Sequence, residues 1–389
     1  MNNNKHIPQG YKDSPLGIIP KEWKVKKVLD FAPLQRGFDL PTDKIVKGKY
    51  PVVYSNGILN YHDEYKAKGP GVVTGRSGTI GKVTYVESDY WPHNTSLWVT
   101  DFKGNSPKYV YYVYKYMGLS KYVSGSGVPT LNRNDVHVSK IAIPPIEEQS
   151  HIVKVLELWD TAIEKQSELI EKLTLRKRAL MQQLLTGKKR LPGFSGEWKH
   201  VSLKSFATEV SIKNKENKDY NVLSCTKYDG LVPSLEYFGK QIYSNDLGNY
   251  KIVPMHHFAY ATNHIEEGSI GYQSKYEYGL ISPMYTVFKT DKDVIDDIFL
   301  FAVLKSHHLT YLYQSMMEGS INRRGGLRWD SFSTIKIDLP PLNEQKAISA
   351  FLKDADKEIE LANEKLASLQ SQKRGLMQQL LTGKKRIKG

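Results

Sequence analysis

Cysteine is almost absent: Cys225 is the only one in 389 residues, which excludes an internal disulfide and any metal site built on several thiolates. Long apolar runs are missing too. The longest, residues 298–304 (IFLFAVL), falls far short of the roughly 18 residues needed to cross a bilayer. The opening MNNNKHIPQG has no apolar signal-peptide core, so a soluble, cytoplasmic protein is expected. Carboxylates are in deficit, 41 Asp and Glu against 55 Lys and Arg, for a net charge of +14. That imbalance, with 25 tyrosines, suits a polyanionic partner. Histidines are few and the two pairs, His256-His257 and His307-His308, are adjacent. Neighbours on a strand or helix point apart, so no metal site is expected.

What the chain does have is a duplication. Residues 141–191 align without a gap on residues 337–387, an offset of 196 (337 − 141), and about half the positions are identical. Both copies open on Pro-Pro (Pro144, Pro145; Pro340, Pro341), pass through Glu-Gln (Glu148, Gln149; Glu344, Gln345) and close on LMQQLLTGKKR at 180–190 and 376–386. Steps of four and three pick out Ile152, Leu156, Trp159, Ile163, Gln166, Ile170, Leu173, Lys177, Leu180 and Leu184, a heptad seam. The second copy gives Ile348, Leu352, Ala355, Ile359, Ala362, Leu366, Leu369, Lys373, Leu376 and Leu380 in the same register. Prolines before, acidic residues in the first turn, and Gly187 or Gly383 followed by Lys-Lys-Arg are helix start and stop signals. Each copy is expected to be one helix of roughly 38 residues, about 57 Å long. A seam this narrow and long suits a helical partner better than two separate amphipathic helices, the alternative. Since the chain leaves one helix, builds a domain and returns by the other, the expected pairing is antiparallel.

At 389 residues more than one core is expected. Weaker repeat marks bound two halves: Glu22-Trp23-Lys24 against Glu197-Trp198-Lys199, and Gly78-Thr79-Ile80-Gly81 against Gly268-Ser269-Ile270-Gly271. Offsets of 175 (198 − 23) and 190 (268 − 78) differ from 196, so the two heads share a plan but differ by insertions. In the first, short β-like stretches at 50–54, 71–74, 82–86 and 96–100 precede a helical pattern at 107–121, a polar loop at 124–135 and a strand at 140–143. The second repeats this with strands at 221–225, 257–261, 269–272 and 283–288, a helix at 295–317, a loop at 318–330 and a strand at 334–339. The heads have diverged far more than the helices. Two near-identical helices with two unlike heads suit a protein that recruits a pair of identical partners and reads two different sites. LMQQLLTGKKR also matches at polar positions expected to be exposed, Gln182, Gln183, Lys188, Lys189 and Arg190.

This order, β-rich domain, PP(I/L)xEQ helix, LMQQLLTGKKRLPGF junction, second β-rich domain, second PPLxEQ helix and terminal LMQQLLTGKKR, resembles the specificity subunit of Type I restriction-modification enzymes over essentially the whole chain. The resemblance implies an α+β fold: two β-rich α/β target recognition domains joined by two long antiparallel coiled-coil helices, in a pseudo-two-fold duplication. The segments are then 1–143 (first recognition domain), 144–190 (first spacer helix), 191–339 (second recognition domain) and 340–389 (second spacer helix). It also implies a bipartite double-stranded DNA target, two modification subunits that carry S-adenosylmethionine and methylate adenine, and restriction subunits with ATP and magnesium. For docking the modification subunits, the matched helix ends offer Leu180, Gln182, Gln183 and Leu184, and Leu376, Gln378, Gln379 and Leu380.

Base edges are read by side chains of fixed hydrogen-bonding geometry on positioned loops. In the first head Arg36, Tyr54, Asn56, Arg76, Ser77, His93, Asn94, Asn132 and Arg133 sit in glycine-flanked polar stretches. In the second the densest group is Arg323, Arg324 and Arg328, with Lys227, Tyr228, His264 and Tyr272 behind it.

No catalytic site is expected in this chain. An amino-methyltransferase needs Asn or Asp before Pro-Pro, and here Ile143 and Leu339 stand there. GRSGTIGKV at 75–83 has the wrong spacing for a phosphate loop and Val after its Lys. Glu64-Tyr65-Lys66 lacks the upstream Pro-Asp of a nuclease site. Two other classes stay open: a free-standing nuclease, which activity of the purified chain with magnesium and DNA would reveal, and a coiled-coil adaptor, against which the basic loops stand.

Overall fold

The computed structural model describes residues 7–124, 129–318 and 326–387. The chain forms two compact units, one of residues 1–168 with 363–389 and the other of residues 169–362. Both long helices, Ile146–Leu184 and Leu342–Leu381, with 39 and 40 residues, are divided near their middles. Each unit therefore holds the start of one helix, the end of the other, and one β-rich head.

None of the ten seam positions on either helix is exposed. In the first unit Asp160 pairs with Lys373; in the second the repeat-equivalent Asp356 pairs with Lys177, and Arg176 with Glu358. In both units the helix halves run antiparallel. The seam lysine of the first unit is buried, at 5 % exposure, with its ammonium 5.3 Å from the Tyr112 ring centre. The Tyr112 hydroxyl donates to Asp160 at 2.6 Å. Burial pushes the Asp160 carboxyl up, but hydrogen bonds from Lys373 and Tyr112 outweigh it and hold the group below the usual carboxylate range. The Lys373 ammonium is pulled down by the same burial. Lys373 is a charge inside an apolar seam, and it specifies register because a slip away from Asp160 would leave it buried and unpaired.

The two heads share one plan. In the first, a four-stranded antiparallel sheet runs in the order Leu34–Arg36, Ser96–Val99, Gly71–Gly75, Val83–Val86. In the second the order is Ala207–Val210, Tyr285–Thr290, Phe258–Ala261, Ile270–Tyr272. The GTIG mark lies in the link between the last two strands of the first sheet, and GSIG runs from the equivalent link into the last strand of the second, with Gly78 and Gly268 at positive φ where a side chain would strain the turn. A small ladder ties each head to its helix: Lys24–Lys27 pairs with Lys140–Ile143, and Lys199–Ser202 with Lys336–Leu339.

Each core mixes head and helix residues. Trp23, Phe31, Tyr109 and Val113 pack in one cluster with Ile152 and Leu156 from the first helix start and Met377, Leu380 and Leu381 from the second helix end. In the other unit Phe258, Phe288, Phe299 and Phe332 join Ile348 and Leu352 with Leu184 and Leu185. Each such aliphatic side chain contributes roughly 1.5–3 kcal/mol on burial.

Several sequence expectations are corrected. The helix expected over 295–317 is two, Asp297–Leu304 and His307–Glu318. Ser306 between them accepts from the Leu309 amide at 3.4 Å, starting a new helix as an N-cap serine does. The expected loop at 124–135 contains the strand Thr130–Leu131 and the short helix Arg133–His137. The strand Gly57–His62 escaped the pattern because four of its six residues are exposed, which erases the alternation that marks half-buried strands.

Helix ends reuse one device. Gly187 and Gly383 have φ of 66° and 72°, and Lys189 and Lys385 amides donate back to Gln183 and Gln379 carbonyls at 3.2 and 3.1 Å. Gly383 is pressed on the head as well: a Cβ there would lie 2.5 Å from Pro20 Cδ. Gly383→Ala is expected to destabilise the first unit by about 1–2 kcal/mol from the left-handed backbone alone, read as lost amide-exchange protection within residues 1–168. Gly187 has Trp198 no nearer than 3.5 Å, so Gly187→Ala should lose less.

Candidate nucleic-acid interface

The Glu-Gln and Trp marks meet at one place in each unit. The head's first ladder strand follows Trp23 and its partner strand leads into Pro144-Pro145, which brings the indole over the first turn of the helix. Trp23 Nε1 donates to Glu148 at 3.0 Å, and Arg386 from the other helix's end donates to both Glu148 oxygens at 2.9 and 3.2 Å and to Glu22 at 2.7 Å. The second unit repeats this. Arg190 grips Glu344 through Nε and Nη2 at 2.5 Å each, and Trp198 Nε1 donates to the same carboxylate at 3.2 Å. The neighbouring glutamines read backbone: Gln149 accepts from the Ser106 amide at 3.0 Å and donates to the Pro144 carbonyl at 3.1 Å. Gln345 accepts from the Asp296 amide at 2.8 Å and donates to the carbonyls of Val294 and Pro340 at 3.0 and 2.8 Å. These clamps fix each head on its helices.

Two expectations fall here. The sequence places Arg190 among the exposed, partner-facing positions, but it and Arg386 are half-buried and paired. Leu184 and Leu380, read as docking residues, are 2 % and 1 % exposed and fill the cores, because they lie on the seam. Leu180 and Leu376 are half-buried against those cores. The matched polar positions that do face outward are Gln182, Gln183, Lys188 and Lys189 with Gln378, Gln379, Lys384 and Lys385.

In the first head the sequence candidates gather at one end of the four-stranded sheet. Arg36 ends the first strand, 3.5 Å from Asp39, which also accepts from Asn94. Gly37 lets this strand end run close, since a Cβ would sit 2.2 Å from the His93 carbonyl oxygen. The Tyr54 ring packs on His93, centres 4.2 Å apart. Arg76 and Ser77 follow the strand Gly71–Gly75; both amides bond the Thr95 carbonyl, and Arg76 Nη1 reaches the Asn94 carbonyl at 3.5 Å. The Leu131 amide donates to the Arg76 carbonyl at 2.8 Å, which brings Asn132 and Arg133 alongside. Asn132 uses its side chain to cap the helix Arg133–His137, whereas Arg133 is exposed. Asn56 is exposed, its carbonyl held by the Lys82 ammonium at 2.5 Å. Burial holds His93 below the usual histidine pKa, so at neutral pH it is an uncharged donor and acceptor. Sequence reasoning missed Asp39 and Lys82. Lys82 follows GTIG and was legible; nothing marked Asp39.

The second head has the same corner. The Leu327 amide donates to the Thr262 carbonyl at 2.8 Å, as Leu131 does to Arg76, 196 residues earlier. Arg328 and His264 are exposed at this end of the strand Phe258–Ala261. Lys227 and Tyr228 lie on the turn between Leu223–Thr226 and Gly230–Pro233, Tyr228 at 79 % exposure. Tyr272 lies apart from this group: it pairs with Phe258, at the opposite end of that strand from His264, and its hydroxyl meets His256 Nδ1 at 2.8 Å. Arg323 and Arg324 lie outside the described residues. Among the described residues one set of possible metal ligands comes together, His264, Glu266 and Glu267 with ligand atoms within 4.8 Å, on an exposed turn. Cys225 is half-buried, its thiol on the Ala259 carbonyl at 3.1 Å and pushed up by burial. No helix among the described residues is long and apolar enough to cross a membrane.

Comparison with known proteins places this architecture. A putative type I restriction enzyme specificity subunit (MjaX) of Methanocaldococcus jannaschii is 24 % identical, over 98 % of this chain and 97 % of its own length. A second specificity subunit from that organism (MjaVIII) is 27 % identical over 69 % of this chain and 68 % of its own length. The crystal structure of a type I restriction-modification S subunit from M. genitalium shares the fold, with a TM-score of 0.56, 14 % identity and coverage of 98 % of each chain. A chain solved in work on complex assembly and conformational transition of the type I R-M system has a TM-score of 0.58 at 15 % identity, covering 94 % of this chain and 99 % of that one. Residues 20–175 and 196–371 each match the type I restriction modification DNA specificity domain, and the chain, built from two copies of it, belongs to that family.

Proposed function

We propose that this chain is the DNA-reading subunit of a type I restriction-modification system. It binds a bipartite double-stranded target, each head reading one half-site through the loops gathered at one end of its sheet. The helical pair sets the gap between half-sites. The chain performs no chemistry itself; it recruits two adenine-methylating modification subunits, which bring S-adenosylmethionine, and restriction subunits, which bring ATP and magnesium. The duplication carries this reading: two copies of one DNA specificity domain with unlike reading loops are each joined to a segment matched over 51 residues (191 − 141 + 1) that holds one long helix. The basic excess of +14 supplies sequence-independent attraction to phosphates. Arg76, Arg133, Arg328 and His264 are the described side chains best placed to meet base edges.

The test is a ruler experiment. Because each helix half lies on a half of the other helix, one heptad is inserted in both, at 168/169 and 362/363, to keep the seam in phase. At ~1.5 Å per residue and ~3.4 Å per base pair, the gap in the methylated sites should lengthen by about three base pairs while both half-sites stay the same. Methylome sequencing reads the outcome, and an unaltered gap rejects the ruler role.

A further inference from the structure

Asp39 stands at the reading corner of the first head, where a carboxylate weakens attraction to phosphates. Its backbone is pinned on both sides. The Gly37 amide donates to the Ser96 carbonyl at 3.1 Å and the Phe38 amide to the Pro92 carbonyl at 2.8 Å, so residues 37–39 lie along the segment 92–96. Phe38 packs on Trp98, ring centres 6.2 Å apart, and its carbonyl accepts from Trp91 Nε1 at 3.3 Å. Held this way, one Asp39 oxygen, Oδ1, accepts from both Arg36 Nη2, at 3.5 Å, and Asn94 Nδ2. The Arg36 and Asp39 side chains are 53 % and 72 % exposed. An ion pair this open to water adds little stability; what it fixes is the direction of two side chains. In the second head Lys213 stands three residues past the end of the equivalent strand Ala207–Val210, so the charge at that place has the opposite sign.

We propose that Asp39 is a positioning residue for base reading: it orients Arg36 toward a guanine and Asn94 toward a nearby adenine in the first head's half-site, in addition to what Arg76 and Arg133 meet. The inference rests on the DNA reading above and deepens it, from a half-site to two of its bases. A carboxylate only accepts, so it turns the Asn94 amide with one N–H toward itself and leaves the other N–H and the carbonyl oxygen for a ligand. That donor and acceptor complement N7 and N6 of adenine. Arg36 uses one Nη2 proton on Asp39, and its remaining N–H groups suffice for the two acceptors of guanine, O6 and N7. Two nitrogens that donate to one oxygen lie no more than about 7 Å apart, about two base-pair steps of ~3.4 Å. The Asn94 main chain is held too, its carbonyl accepting from Arg76 Nη1 at 3.5 Å. A carboxylate in this place could instead accept from cytosine N4 itself, but two donors already on Oδ1 favour the positioning role.

The full chain is expressed with its own modification subunit, and methylome sequencing gives the parent's target. Competition binding of the purified complex then measures discrimination against each single base-pair change, with melting curves matching the parent's as the check on folding. Arg36→Ala should lose discrimination at one G·C pair and Asn94→Ala at one A·T pair, each by about tenfold or more, and the two pairs should lie within about two steps of each other in one half-site. Asp39→Ala should lose discrimination severalfold at both pairs and leave the other half-site unaltered. In the Arg36→Ala background it should have no further effect at the G·C pair. Since it removes a negative charge, Asp39→Ala should hold non-specific DNA at least as tightly as the parent does, which a loosened head would not. Unaltered discrimination in any of the three single variants overturns the proposal. So does an Asp39→Ala protein that relaxes a separate C·G pair alone, which would make Asp39 itself the reader. A parent complex with no sequence preference would instead refute the DNA reading on which the proposal rests.

Discussion

Arg190→Ala should clearly destabilise the second unit, because it leaves a buried carboxylate without its cation. The arginine side chain is 26 % exposed but its partner Glu344 is at 0 %. Removing the arginine strips two charge-assisted bonds from that carboxylate and leaves only the Trp198 indole. A buried carboxylate without its cation costs far more than an exposed ion pair contributes. Arg190→Met with Glu344→Met should cost much less than Arg190→Ala, since replacing a whole buried pair with apolar groups of similar volume is often near neutral. With two units present, one denaturation midpoint is not a two-state quantity, so amide exchange is the better readout. Protection should fall in residues 169–362 and stay in 1–168. An Arg190→Ala protein within 0.5 kcal/mol of the parent would show that the clamp is not what holds the head.

A chain cut to residues 1–190 is expected to dimerise. The first unit needs residues 363–389 to complete its core, and a 1–190 chain holds the equivalent segment only as its own helix end. Leu376, Met377, Leu380 and Leu381, which pack on the first core, correspond to Leu180, Met181, Leu184 and Leu185 without a change of residue type. Lys373 and Arg386 correspond to Lys177 and Arg190, so the pairs with Asp160 and Glu148 can reform between two copies. Only Ile387, which becomes Leu191 just past the cut, is altered and lost. A lone 1–190 chain would leave Ile152 and Leu156, now 1 % and 0 % exposed, facing water at roughly 1.5–3 kcal/mol each. Light scattering should give twice the chain mass at micromolar concentration, and the dimer, with two copies of one head, should select a symmetric target. A folded monomer would refute the exchange of helix ends.

The Glu-Gln pair shows where sequence reading runs out. Identity between two copies says that a position matters twice; it does not say whether its side chain faces in or out. Glu148, Gln149, Asp160, Lys177 and Arg190 all match their equivalents, and all are engaged within the chain. Gln182, Gln183, Lys188 and Lys189 match equally well and face outward. In the loops the sequence candidates for the first head fell at one corner, because glycine-flanked polar stretches at strand ends collect there. Tyr272 lies away from the other candidates of the second head, a separation the sequence could not show because period-two patterning gives the face of a strand but not which end of the sheet a residue occupies.

By itself the sequence determined the duplication, the length and seam of both helices, the β-rich heads and the family, since these are matters of spacing and of residues near one another along the chain. Only the tertiary structure decided that each head is completed by the end of the other helix, and that Trp, Glu and Arg from three distant segments share one carboxylate. Arg386 meets Glu148 across 238 positions, and no local period carries that pairing: it exists only once two antiparallel helices have closed on each other.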